Sequence, residues 1–237
     1  MKIVILNGSP KGGDSASLRI SLALAEAIQK QSRPGRTQTG QTRSGRGRAG
    51  GGEEPALVRL NSWGLRPEDL IASLRDAGAL VLVFPLYVDG VPAHLLALME
   101  AVRQGGPRTA PGARLHAVVN NGLWESENNS PAFEVLRHFA SEAGLAWGQG
   151  LGWGGGGMIA ACGKIGRHPF KSFGRETDFL AGQILSGGGG PERYCQPNIP
   201  RFAYFHAANL MWYVLAWKNK IKFKDLLLRR QPPAPKG

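Results

Sequence analysis

At 237 residues the chain is long enough for one sizeable α/β domain and short for two. Its formal charge of +12 sits almost wholly in two segments: five arginines and no acid in residues 31–52, and seven lysines and arginines against Asp225 in residues 218–237, eleven of the twelve charges together. The rest is near neutral, so charge does not make the domain a nucleic-acid binder; Cys162 and Cys195, far apart and without CxxC spacing, exclude a cysteine-held cluster, a zinc site or a disulfide scaffold.

Residues 1–6 (MKIVIL) are a continuous apolar run, the mark of a strand buried on both faces of a parallel sheet. From Ser17 the spacing turns helical, with Leu18, Leu22, Ala25 and Ile28 on one stripe and Ile20 and Leu24 beside it. Residues 31–54 hold no large apolar side chain and are rich in Gly, Arg, Thr and Gln, which predicts a flexible insertion. A second strand at 56–60 (ALVRL), a helix at 67–77 opening on Pro67, and a third strand at 79–84 (ALVLVF) follow. A helix from about Pro92 turns Leu95, Leu98, Met99 and Val102 inward, and LHAVVN at 115–120 is the fourth strand. Residues 130–144 open on Ser-Pro and close on Gly, a well-signalled helix. The fifth strand, 146–151, leads into glycine-rich 152–157, read as a loop with Trp153 serving as a lid or a dimer contact. Later helices are expected near 172–185 and 202–218.

This alternation predicts an α/β doubly wound parallel sheet of five strands, order 2-1-3-4-5, with helices on both faces. The domain spans residues 1–217, and 218–237 form a basic tail. The apolar stretch at 203–217 is broken by His206 and Asn209 and falls short of the roughly 20 residues of a membrane span. Residues 3–6 are too short for a secretory signal, so the expectation is a cytoplasmic chain with reduced thiols and no membrane span.

In such a sheet, ligands bind at the carboxyl ends of the strands where the order reverses, here between strands one and three. After strand one comes NGSPKGGDSAS: Ser9, Ser15 and Ser17 offer hydroxyls, Gly12 and Gly13 let the backbone approach, Lys11 adds a cation, and a helix N-terminus follows. That describes a phosphate cradle. It is neither a Walker A loop nor GxGxxG, which disfavours ATP and Rossmann-type dinucleotides. Asp14 sets a carboxylate in the same loop, opposing a phosphate unless it points away or pairs with Lys11. After strand three, PLYVDGVPA collects a proline, an aromatic and a branched residue where a flat ring could pack; after strand four, Asn120, Asn121 and Gly122 bring amides to the same edge. A monophosphate on one side and a planar heterocycle on the other describe flavin mononucleotide (FMN).

NGSPKGGDSAS, PLYVDGVPAHL and NNGLWESENNSPAFEVLRHFASEAG resemble the flavin loops of the NAD(P)H-dependent FMN reductase family of flavodoxin-like proteins. LGWGGGGMI and HAANLMWYVLAWKNKIKFKDL resemble segments of one bacterial branch, so the likeness covers nearly the whole chain except residues 31–54. The resemblance implies a flavodoxin-like fold, with Ser9, Lys11, Ser15, Ala16 and Ser17 at the FMN phosphate. Pro85, Leu86, Tyr87, Val88 and Asp89 would line the isoalloxazine, and Asn121 and Gly122 would reach its pyrimidine side. It also implies a homodimer, NADPH or NADH as co-substrate, and a small electron acceptor such as a quinone or free flavin. The cofactor carries that chemistry, so no catalytic acid, base or nucleophile and no metal is expected. His94 reads as an exposed helical histidine. The alternative is a noncatalytic flavin- or nucleotide-binding protein whose basic segments recruit an anionic partner; the insertion has no aromatic residues, so specific nucleic-acid recognition is not expected.

Overall fold

The computed structural model describes residues 1–11, 15–33, 55–162 and 164–227. Asp14, nearly all of the 31–54 insertion and the end of the basic tail lie outside the described residues. Two compact units divide the chain, Met1–Asn198 and Ile199–Gly237.

The first unit holds one sheet built from Lys2–Asn7 (β1), Ala56–Asn61 (β2), Ala77–Pro85 (β3), Arg114–Asn120 (β4), Ala146–Trp153 (β5) and Arg193–Cys195 (β6). Its order is β2-β1-β3-β4-β5-β6, and every neighbouring pair is parallel. The apolar runs form the centre: β1, β3 and β4 are buried along nearly their whole length. Alternation sends Val4, Leu6, Leu80, Leu82 and Phe84 to one face, against Pro67–Leu74 (α2), Ala93–Gly105 (α3) and Ser130–Glu142 (α4). It sends Ile3, Ile5, Val81 and Val83 to the other, against Ala16–Ser32 (α1), Gly156–Cys162 (α5) and Lys171–Leu185 (α6). Each fully buried aliphatic or Phe side chain contributes roughly 1.5–3 kcal/mol of transfer free energy.

Helices thus cover both faces of a doubly wound sheet, as expected, but the sheet has six strands rather than five. β6 is three residues long and pairs only with β5, so it left no periodic signal. Three further expectations are corrected. The buried face of α1 is Ile20, Leu24, Ala25, Ala27 and Ile28, so Ala25 and Ile28 of the expected stripe are buried whereas Leu22 is exposed. β5 runs on to Trp153, which is fully buried and stacked on Phe173 at 4.3 Å, so it is core and neither lid nor dimer contact. The residues after it continue into α5. α2 ends at Leu74, and Ala77 already belongs to β3.

His116 on β4 is fully buried, and neither ring nitrogen has a partner among the described residues. The ring fills the space over Gly148, where an added Cβ would come within 2.4 Å of it. Burial, with the Arg114 guanidinium nearby, lowers its pKa to about 4. The native state therefore keeps a neutral ring while the unfolded chain takes up a proton below about 6.5. The stability it allows is complete above about 6.5 and is lost as pH falls towards 4, on the order of 3 kcal/mol in all. Urea unfolding of the wild type and His116→Leu across that window checks this: the variant should lose less stability with acid, and parallel curves would contradict the assignment.

Candidate functional site

The strand register sets the site's geometry. Asn61, Asn7 and Val83 form one row near the carboxyl edge of the sheet; Pro85, Asn120 and Trp153 form the next. The loops after β1, β3 and β4 leave from these rows.

The first loop turns at Gly8, whose N–H donates to the Val83 carbonyl at 2.7 Å. A Cβ there would meet Leu95 at 2.7 Å and Phe84 at 2.8 Å, so only glycine lets the loop lie this close to β3. The Asn7 side-chain oxygen accepts from the Ser9 N–H at 3.2 Å, and the Ser9 hydroxyl accepts from the Lys11 N–H at 3.3 Å. Ser15 caps α1, its hydroxyl accepting from the Leu18 N–H at 3.1 Å. Ala16 opens the helix half-buried, and Lys11 is exposed. Ser9, Ser15 and Ser17 are all buried. Each of these hydroxyls accepts a hydrogen bond, which leaves its own hydrogen to donate. The side-chain nitrogen of Asn7 is buried and has no partner among the described residues. Alternation along β1 puts Asn7 on the face of Ile3 and Ile5, the face α1 covers.

One side chain ties the three loops together. The Asn120 amide donates to the Ser17 hydroxyl at 2.9 Å and to the Phe84 carbonyl at 3.0 Å, joining the end of β4 to the start of α1 and the end of β3. The Leu86 N–H donates back to the Asn120 carbonyl at 2.8 Å.

In the second loop Pro85 and Leu86 are half-buried, while Tyr87, Val88 and Asp89 are exposed. Tyr87 and Gly90 exchange backbone hydrogen bonds of 3.0 and 3.1 Å around Val88 and Asp89, both at positive φ (50° and 56°). This is the left-handed geometry of a type I′ turn. A β-branched residue there stores strain of order 1–2 kcal/mol, and such strain collects at ligand sites. In the third loop, Asn121 donates through its amide to the Glu125 carbonyl at 2.8 Å and accepts from the Leu123 N–H at 2.9 Å, so its side chain holds its own loop. Gly122 is exposed, with open space where a Cβ would stand.

His94, expected exposed, is half-buried and held on several sides. Its Nε2 lies 2.9 Å from the Ser62 hydroxyl, its ring meets Trp63 edge-on at 5.7 Å, and it hydrogen-bonds the Gly8 backbone. Because the Gly8 carbonyl can only accept, the ring donates there and accepts from Ser62. Burial lowers its pKa, so the neutral ring works as a strut beneath the first loop. Cys195 is buried, and burial pushes its thiol pKa up, so it is not a reactive thiol.

Through Asn120 the structure thus joins Ser17, in the first turn of α1 with Ser15 and Ala16, to Phe84 and Leu86 at the end of β3; Ser9 and Lys11 bond within their own loop and Asn121 within its own. Sequence reasoning placed Asn120 at this edge without its partners, and missed Asn7 and Ser62 as parts of it. The arrangement offers donors to an anion at the α1 N-terminus and an exposed turn beside it on which a flat group can rest.

Replacing Asn120 with Ala strips donors from the buried Ser17 hydroxyl and Phe84 carbonyl. The expected cost is about 2–4 kcal/mol, several degrees in Tm. Thermal unfolding of Asn120→Ala checks it, and a loss below about 0.5 kcal/mol would remove the side chain from its central place.

No family model matches the chain, and no curated protein matches it in sequence. Solved structures do share its architecture. An NADH:FMN oxidoreductase (EmoB, apo form) superposes with a TM-score of 0.53 at 12% identity, covering 78% of this chain and 89% of that one. An oxidoreductase from Corynebacterium diphtheriae gives 0.51 at 12%, covering 79% and 96%. Rubredoxin oxygen:oxidoreductase from the anaerobe Desulfovibrio gigas gives 0.51 at 14%, covering 78% of this chain and only 35% of that one. At such identities the likeness is one of fold: the chain has the flavodoxin-like α/β fold.

Proposed function

We propose that the chain binds FMN at the β1/β3 edge and acts as an NAD(P)H-dependent oxidoreductase that passes reducing equivalents to a small acceptor. The observation that carries this reading is the buried amide nitrogen of Asn7, without a partner among the described residues, in the β1-to-α1 segment that also holds the buried hydroxyls of Ser9, Ser15 and Ser17. An unsatisfied buried donor costs about 1–3 kcal/mol, a cost that an anionic ligand removes. The fold likeness to an NADH:FMN oxidoreductase and to a second oxidoreductase supports the same reading.

The residues present fit the group. Asn7, Ser9, Ser15 and Ser17, with the Ala16 N–H and the exposed Lys11, would hold the phosphate at the helix N-terminus. Pro85 to Asp89 would support the ring along the type I′ turn, with Asn121 and Gly122 at its polar edge. When bound, FMN supplies the hydride-accepting and hydride-donating chemistry. The protein's own part is to bind, orient and set the electrostatics. His94, its ring occupied by Ser62 and Gly8, positions the phosphate loop and is not assigned proton transfer. NADPH or NADH is the co-substrate in this reading, the acceptor is a quinone, free flavin or similar molecule, and the working form is a cytoplasmic homodimer.

Titrating FMN into Ser9→Ala/Ser15→Ala tests the site. Each lost hydroxyl should cost about 1 kcal/mol or more, weakening Kd tenfold or more for the pair. Unchanged affinity would remove this loop as the phosphate site. FMN that binds while neither nicotinamide reduces it would leave a noncatalytic flavin-binding protein.

A further inference from the structure

The Ile199–Gly237 unit is built around Arg201–Lys218 (α7), followed by a short 3-10 turn at Phe223–Leu227. Between Arg201 and Lys218 the helix has no charged residue. Phe202, Leu210, Trp212 and Trp217 are 63–77% exposed. Leu210 and Trp212 stand two residues apart, about 200° around a helix, so the exposed apolar surface is not one stripe. The polar exceptions are orderly: His206, Asn209 and Tyr213 fall at spacings of three and four, along one narrow line. Immediately after the helix, Lys218, Lys220, Lys222 and Lys224 are all exposed, and no acid occurs from Ile199 until Asp225.

A helix apolar around most of its circumference needs an apolar surround. Among the described residues no helix is long and apolar enough to cross a membrane. A second copy of α7 would cover one stripe and leave the opposite one wet, and a parallel pair would bring the two lysine clusters together. A bilayer interface meets every requirement. It covers most of the circumference of a helix lying in its plane and leaves one line to water, it accepts Trp and Tyr at headgroup depth, and its anionic lipids complement a run of lysines.

We propose that this unit docks on an anionic lipid surface. α7 lies along the headgroup boundary with the His206–Asn209–Tyr213 line toward water, and the lysines at 218–224 pair with lipid phosphates and carboxylates. This inference goes beyond the redox reading and does not rest on it, since it concerns where the protein works and not what it binds at the sheet edge.

The test is flotation of the full-length protein with vesicles of phosphatidylcholine alone or mixed with phosphatidylserine. The protein should rise with the mixed vesicles and far less with the neutral ones, release as salt is raised, and have its tryptophan emission quenched by brominated lipid. Trp212→Ala/Trp217→Ala and, separately, Lys220→Ser/Lys222→Ser should each lower partitioning on the order of tenfold. All four positions are exposed, so the variants are expected to fold. Absence from the anionic vesicles, or equal binding to neutral ones, would overturn the proposal. So would a lipid-free dimer in sedimentation velocity that the tryptophan double variant dissolves, since the occupant would then be a second copy of the chain.

Discussion

Two hydrogen bonds from the Asn120 amide join three elements at the carboxyl edge of the sheet. Three loops leave the carboxyl ends of β1, β3 and β4, whose register sets where they start and whose side-chain bonds tie them to one another. Asn120 reaches the first turn of α1 and the last carbonyls of β3 from the end of β4, so the helix N-terminus and the 85–90 turn hang on one buried side chain. A buried donor is worth more than one on the surface, and costs more to remove. The position of the Ser17 hydroxyl depends on that joint.

Close approach of backbone is the second constraint. Gly8 brings the first loop against Phe84 and Leu95. Gly154 and Gly156 do the same on the other side: a Cβ would stand 2.1 Å from the Trp124 carbonyl oxygen at one and 2.8 Å from the Asn120 side-chain oxygen at the other. Backbone bonds from Gly155 to Leu123 and from Gly156 to Asn121 then fix the third loop onto the start of α5. The edge is thus packed tightly at its base, while Tyr87, Val88 and Asp89 are left exposed above it. The strain stored in the exposed turn therefore stands on a closely packed base.

Much of this was legible in the sequence where signal is local. The runs MKIVIL, ALVLVF and LHAVVN announce strands buried on both faces because no other element tolerates unbroken apolar character at that length. Ser15, read from the sequence only as a hydroxyl of the loop, also caps α1. What could not be read depends on contacts distant in the chain. Ser17 and Asn120 are 103 residues apart, and Ser62 and His94 are 32 apart, so no spacing rule pairs them. Trp153 followed by glycines looks like an exposed flap until Phe173 is placed against it. The three residues of β6 are a strand only because β5 offers them an edge. The hydroxyls at Ser15 and Ser17 are built into the fold as acceptors and still have a hydrogen left to donate.

The most direct test of the central claim is the visible spectrum of the purified protein with added FMN, before and after NADPH or NADH under anaerobic conditions. The account predicts a bound-flavin spectrum that bleaches on addition of a nicotinamide. A protein that leaves FMN free in solution, its spectrum unchanged from that of the unbound cofactor, would contradict it.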